Sequence, residues 1–98
     1  MYMKALTIKT EEEFDYIEEG PDGGEVLLLL HGLFGTASNF DETIHYFKEK
    51  YKIYLPILPI FQMNVRKLSV YSLMEYVWDF AVHFGIDKPH IIGNSLGG

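Results

Sequence analysis

Val26 to Leu30 is an unbroken aliphatic run, and it is followed at once by His31-Gly32. Five residues are too few for a buried helix of ordinary length. A run without polar alternation is how a strand covered on both faces reads, so the chain needs helices above and below a sheet. The segments on either side supply them. After a Gly-containing loop, Ser38 followed by Asp41 has the pattern of an N-cap and first-turn acid, and Phe40, Ile44 and Phe47 fall at helical spacing, which predicts a helix to about Lys50. Lys52 to Leu58 is the next strand candidate, with Pro56 ending its pairing early because proline has no N–H to give to a ladder. Pro59 to Val70 reads as an irregular connection. Ser72 and Glu75 have capping-box spacing, Leu73, Val77, Phe80, Ala81 and Phe84 form one apolar stripe, and Gly85 stands as the helix stop. Asp87-Lys88-Pro89 turns the chain into His90 to Ile92, a third strand expected to be buried.

Ahead of this alternation, Met3 to Lys9 and Phe14 to Glu18 are rich in β-branched and aromatic residues and read as a hairpin turning through Thr10 to Glu13. Gly20-Pro21-Asp22-Gly23-Gly24 then breaks the chain, the proline fixing one φ angle and the glycines supplying positive ones. Residues 1–98 are therefore expected to form a single α/β unit: an opening antiparallel hairpin, then parallel strands with crossover helices.

Composition narrows the function classes. Eight Lys plus Arg face fourteen Asp plus Glu, a formal charge of −6, and no cysteine is present. The excess acid lies in residues 1 to 25, and the remainder is balanced, so nothing is basic enough to track a phosphate backbone and nucleic acid is not an expected partner. Cysteine-based zinc or haem sites are excluded. No apolar stretch approaches the roughly twenty residues a membrane span needs, and Met1 to Glu13 lacks a signal-peptide core, so a cytoplasmic location is expected.

Two glycine-bearing turns carry the candidate chemistry. Gly93-Asn94-Ser95-Leu96-Gly97-Gly98 follows a strand and contains G-x-S-x-G. A serine on a sharp strand-to-helix bend is lifted clear of the sheet, and glycines two before and two after remove Cβ atoms that would collide there. By composition this pattern arises by chance in about a few per cent of chains of this length, so by itself it is a weak signal. The second turn, His31-Gly32-Leu33-Phe34-Gly35, leaves the aliphatic strand before a helix.

With both turns in these contexts, residues 14 to 98 resemble the α/β-hydrolase superfamily, which pairs an HG-x-x-G turn after an early central strand with a nucleophile elbow after a later one. The resemblance implies that Ser95 is the nucleophile and that the backbone N–H groups of Leu33 and Leu96 form the oxyanion hole, with Phe34 as an alternative to Leu33. Donors aimed at a developing oxyanion are worth about 3 to 4 kcal/mol each, and Gly32 would let the backbone approach the substrate. His31, Gly32, Gly35, Gly93, Asn94 and Gly97 would support the two turns. The side chains of Leu33 and Phe34 would line a pocket for a small apolar ester-like substrate, and neither metal nor organic cofactor is implied.

Two features depart from the family pattern. Many members carry an Asp and a Gly-rich turn after the next strand, where this chain has Leu55-Pro56-Ile57-Leu58-Pro59-Ile60-Phe61-Gln62. Asn94 before the serine resembles the elbow of hydrolases that cleave carbon–carbon bonds in ring-fission products, although small esterases also carry it. Carboxylic-ester hydrolysis through an acyl-enzyme is the leading reading, and C–C bond hydrolysis is an alternative. A non-catalytic binding module of the same fold is another.

The usual order of a triad in this superfamily is serine, acid, histidine. Only three residues follow Ser95 here, so the acid and base are expected downstream or on a complementary chain, and the 98 residues by themselves are expected to be inactive. His31 belongs to its turn, and His45, His83 and His90 read as surface or hydrogen-bonded residues. Glu11 to Glu13 and Glu18-Glu19 read as solvated hairpin faces. A helix after Ser95 is also expected. Without it Val26 to Leu30 and Ile91-Ile92 would leave part of one sheet face uncovered.

Overall fold

The structure, a computed structural model, describes residues 7–31, 40–58 and 70–93. In chain order these form β1 (Lys9–Glu11), β2 (Phe14–Glu19), β3 (Val26–Leu30), α1 (Asp41–Phe47), β4 (Lys52–Pro56), α2 (Val70–His83) and β5 (His90–Gly93). The five strands make one sheet in the order β1-β2-β4-β3-β5. β1 and β2 pair antiparallel, as do β2 and β4, whereas β3 runs parallel to both β4 and β5. This is the mixed α/β architecture the sequence implied.

Alternate residues of β3 serve opposite faces, which explains its lack of polar positions. Leu27 and Leu29 pack with Ile17, Ile53, Leu55 and the α1 residues Phe40 and Ile44. Leu28 packs on the other face with Phe14, Tyr16, Tyr54 and Phe80 of α2, and half-buried Val77, Phe84 and Ile86 complete that layer. Phe80 is fully buried among rings, with Phe84 at 4.6 Å, Phe14 at 5.4 Å and Tyr54 at 5.9 Å between centroids.

Gly85 ends α2 with φ +65°, Ile86 N–H donating to the Ala81 carbonyl and Gly85 N–H to that of Val82. That bond pair closes a helix through a left-handed glycine, as the sequence suggested. Gly20 takes φ +91°, and a Cβ there would collide with the Tyr51 carbonyl oxygen.

Several expectations need correction. The hairpin turn is tighter than Thr10 to Glu13: Thr10 and Glu11 belong to β1, and only Glu12 and Glu13 turn, Glu12 at φ +56°. Thr7 and Ile8 are not in a strand, and residues 1–6 lie outside the described residues. α1 stops at Phe47 rather than at about Lys50, and the chain leaves it through turns in which Lys50 N–H and Tyr51 N–H both donate to the Phe47 carbonyl. Its N-cap position is Phe40, which makes no side-chain cap, and Ser38 lies outside the described residues. α2 begins at Val70, so Ser72 sits inside the helix rather than at its cap.

β5 was expected to be buried. Ile91 is 59% exposed and Ile92 37%, because among the described residues β5 is the sheet edge, paired on one side only. Leu27 to Leu29 are nevertheless buried, so of these two strands it is β5 that shows exposed apolar side chains. Glu18 is not a solvated face residue: it meets Lys52 at 2.8 Å and Lys9 at 2.9 Å. Those hydrogen bonds, Lys52 first, draw its carboxyl down to about 2. Partial burial works against the Lys52 ammonium, but Asp22 and Glu18 outweigh it and hold the group up at about 12.

Candidate functional site

Three parallel strands, β4, β3 and β5, point their carboxyl ends to one edge of the sheet, the edge at which open α/β sheets bind ligands. β3 and β5 are direct neighbours, and their register pairs Leu27 with His90, Leu28 with Ile91, Leu29 with Ile92 and Leu30 with Gly93. The last residue of each strand therefore lies beside the last residue of the other. His31-Gly32 leaves one and Asn94-Ser95 leaves the other. Neighbouring strands are about 4.8 Å apart, and two residues carry a chain at most about 7 Å. Leu33 and Ser95 are each two residues beyond such a described position, His31 and Gly93 respectively.

Of the residues singled out in the sequence, His31 and Gly93 are described. Gly32, Leu33, Phe34, Gly35, Asn94, Ser95, Leu96 and Gly97 lie outside the described residues. His31 is buried, 7% exposed, and its Nε2 accepts a hydrogen bond of 2.9 Å from the backbone N–H of Leu58, itself 8% exposed. A backbone N–H can only donate, so Nε2 presents its lone pair and the ring proton sits on Nδ1. Nε2 is thereby engaged with the backbone that follows β4.

The Leu58 N–H is a participant that sequence reasoning missed. A backbone donor leaves no mark in side-chain identity. The one available signal was Pro56, which interrupts the ladder just before it.

The other three histidines keep to the roles expected of them. His45 is exposed on α1, and His83 Nε2 lies 2.6 Å from Glu11 Oε2 at the far end of α2. His90 opens β5 at the end opposite Gly93 and lies 3.6 Å from Glu25. Among the described residues, no helix is long and apolar enough to cross a membrane.

No family model matches the chain. Solved structures and curated proteins do. An α/β hydrolase enzyme from the metagenome of sediments from the lagoon of Mar Chica, Morocco, superposes with a TM-score of 0.85 at 40% identity, over 93% of this chain and 41% of that one. Lipase 1 of Psychrobacter immobilis is 30% identical over 98% of this chain and 32% of its own length. The magnesium-chelatase 30 kDa subunit of Rhodobacter capsulatus is 31% identical over 84% of this chain and 30% of its own length. The chain thus spans about a third of the length of the curated relatives it matches. An antiparallel start followed by parallel strands with helices is the fold that these likenesses share with it, and the chain belongs to the α/β-hydrolase superfamily.

Proposed function

We propose that the chain contributes the nucleophile and the oxyanion donors of a serine hydrolase acting on small apolar carboxylic esters. The observation that supports this reading is the pairing of Leu30 with Gly93, the strand-end residues that precede the His31-Gly32 and Asn94-Ser95 motifs in the sequence. In the proposed reaction, Ser95 Oγ attacks the ester carbonyl while a histidine base takes its proton. The carbonyl oxygen gathers negative charge and is held by the N–H groups of Leu33, or Phe34, and Leu96. Collapse expels the alcohol, which takes the proton back from the base. Water, activated by the same histidine, then hydrolyses the acyl-serine.

The acid and base are assigned to residues outside these 98, in keeping with relatives about three times as long. The isolated stretch should accordingly be inert. Asn94, Gly32, Gly35 and Gly97 support the turns, and the reaction calls for neither metal nor organic cofactor. The name lipase borne by one matched protein supports ester cleavage over C–C bond cleavage.

A fluorophosphonate probe tests the reading. Ser95 of the full-length protein should be labelled, and both labelling and ester turnover should vanish in Ser95→Ala. Turnover that survives that substitution would overturn it. A matched protein is named as a subunit, the magnesium-chelatase 30 kDa subunit, and the second reading is a binding module that keeps the fold without turnover. That reading expects no labelling and ligand binding unaffected by Ser95→Ala.

A further inference from the structure

Trp78 and Phe80 stand two residues apart on α2, a rotation of about 200° on a helix of 3.6 residues per turn, so they point to opposite sides. Phe80 is fully buried against the sheet, and Trp78 is 70% exposed. Tyr71, Met74 and Val82, also exposed, line up with Trp78 at intervals of three and four residues. The line therefore runs along the outer pole of the helix. Helices laid side by side on one sheet face meet the flanks of α2 rather than this pole. The four side chains expose about 500 Å² of mostly apolar surface, within the range of patches that are often functional on soluble proteins. Trp, Tyr and Met are also the residue types enriched at protein interfaces.

One side of the line is acidic. Glu75 and Asp79, one turn apart and both exposed, border Met74 and Trp78, and among the described residues neither has an ion-pair or hydrogen-bond partner. Like charges at this spacing weaken a helix slightly, so α2 itself gains nothing from them. The same side meets the hairpin: the Tyr76 and Phe14 rings lie 5.4 Å apart, and His83 Nε2 is 2.6 Å from Glu11 Oε2. Burial first, and then the charges of Asp15 and Glu13, push the Tyr76 phenol up, so hairpin carboxylates add to the negative field along this flank. The opposite flank carries the uncharged, half-buried Val77 and Ala81.

We propose that the outer pole of α2 docks a helix of another protein that carries an apolar stripe bordered by Lys or Arg. The stripe sits on Tyr71, Met74, Trp78 and Val82, and the cations meet Glu75 and Asp79. About 500 Å² on each side gives a total near 1,000 Å², small for two whole domains and suited to a single helix. A second copy of this chain fits less well. Packed antiparallel, two α2 helices set acid line against acid line; packed parallel, they set the acids of one against Val77 and Ala81 of the other. An anionic lipid surface is repelled by the same carboxylates.

The test uses the full-length protein and two synthetic helical peptides with the same leucine stripe, one bordered by lysines and the other by glutamates. In titrations of fluorescently tagged peptide at low salt, the lysine peptide should bind at least about tenfold tighter, with the preference shrinking as salt rises. Trp78→Ser should weaken the lysine peptide at least about tenfold. Glu75→Lys combined with Asp79→Lys should reverse the preference between the two peptides. As an exposed position, Trp78→Ser should leave the melting temperature within about 3 °C of wild type.

No binding of the lysine peptide, equal affinity for both peptides, or affinity unchanged in Trp78→Ser overturns the proposal. A larger fall in melting temperature also overturns it, since it shows the pole covered by the rest of the same chain. Sedimentation and vesicle flotation identify the other occupants. A dimer that Trp78→Ser dissociates gives the pole to a second copy, flotation with phosphatidylcholine vesicles that Trp78→Ser abolishes gives it to a lipid surface, and either result replaces the proposed partner.

Discussion

Truncating Phe80 to Ala removes the ring on which the α2 face of the sheet is built. Phe80 is fully buried and lies among Phe14, Tyr16, Tyr54 and Phe84, at centroid distances of 5.4, 5.8, 5.9 and 4.6 Å. Three of these are edge-to-face contacts, and Phe84 is tilted. Phe→Ala in a packed core costs about 3 to 5 kcal/mol, made up of lost transfer energy and the void left behind. The upper part of that range is expected here, since the neighbours are rigid rings anchored on two different strands and on the turn that closes the helix and cannot collapse into the space. Phe80→Leu leaves a smaller void and should cost about 1 to 2 kcal/mol. Urea unfolding of the full-length protein followed by far-ultraviolet circular dichroism measures both, with the midpoint shifting and the slope unchanged. Against a typical total of about 5 to 15 kcal/mol, the Ala variant should be conspicuous. A loss below about 1.5 kcal/mol for Phe80→Ala, or equal losses for Leu and Ala, would refute the claim that α2 is held by this ring cluster.

Other residues give further expectations. Glu18 has its carboxyl drawn down to about 2 by Lys52 and Lys9, so its contribution is complete above the unfolded value near 4.5 and fades as pH falls from there towards 2. Glu18→Gln should therefore cost about 1 kcal/mol near neutrality, after allowance for solvent screening, with the deficit shrinking as pH falls from the unfolded value through about 2; a deficit independent of pH would contradict this. Gly20→Ala combines a positive φ with a collision against the Tyr51 carbonyl and should cost about 2 kcal/mol or more in the same urea assay. Glu12 holds φ +56° in a two-residue hairpin turn, so Glu12→Gly should stabilise by about 1 kcal/mol, and a destabilised variant would count against the turn geometry.

The legible parts of the fold were those in which a residue's own chemistry decides the outcome. Val26 to Leu30 announced a strand packed on both faces, and the structure assigns its alternate leucines to α1 and α2. Phe80 and Phe84 marked the packed side of α2, Gly85 marked its end, and Pro56 marked where a strand would stop. What stayed hidden depends on partners distant in the chain. Strand order is one case, since nothing in the residues of β4 says that it inserts between β2 and β3. The ion pair from Glu18 to Lys52 is another, because an acid in a run of acids reads as solvated until its cation is placed.

α2 also carries a second apolar stripe, Tyr71, Met74, Trp78 and Val82, all exposed, whereas periodicity drew attention to the stripe that faces the sheet. The burial expected of β5 failed for a related reason: an aliphatic strand is covered only if it has neighbours, and among the described residues β5 has one. For the site, the sequence shows two motifs, and the adjacency of the strand ends that precede them follows from a parallel register that no single motif encodes.

The account rests on two turns converging at the ends of β3 and β5, and a crystal structure of the full-length protein after reaction with a fluorophosphonate tests it most directly. The account predicts phosphorus bonded to Ser95 Oγ, with the phosphoryl oxygen about 2.7 to 3.1 Å from the backbone nitrogens of Leu96 and of Leu33 or Phe34. Phosphorus on another residue, or a phosphoryl oxygen out of hydrogen-bond reach of the turn that follows His31, would contradict it.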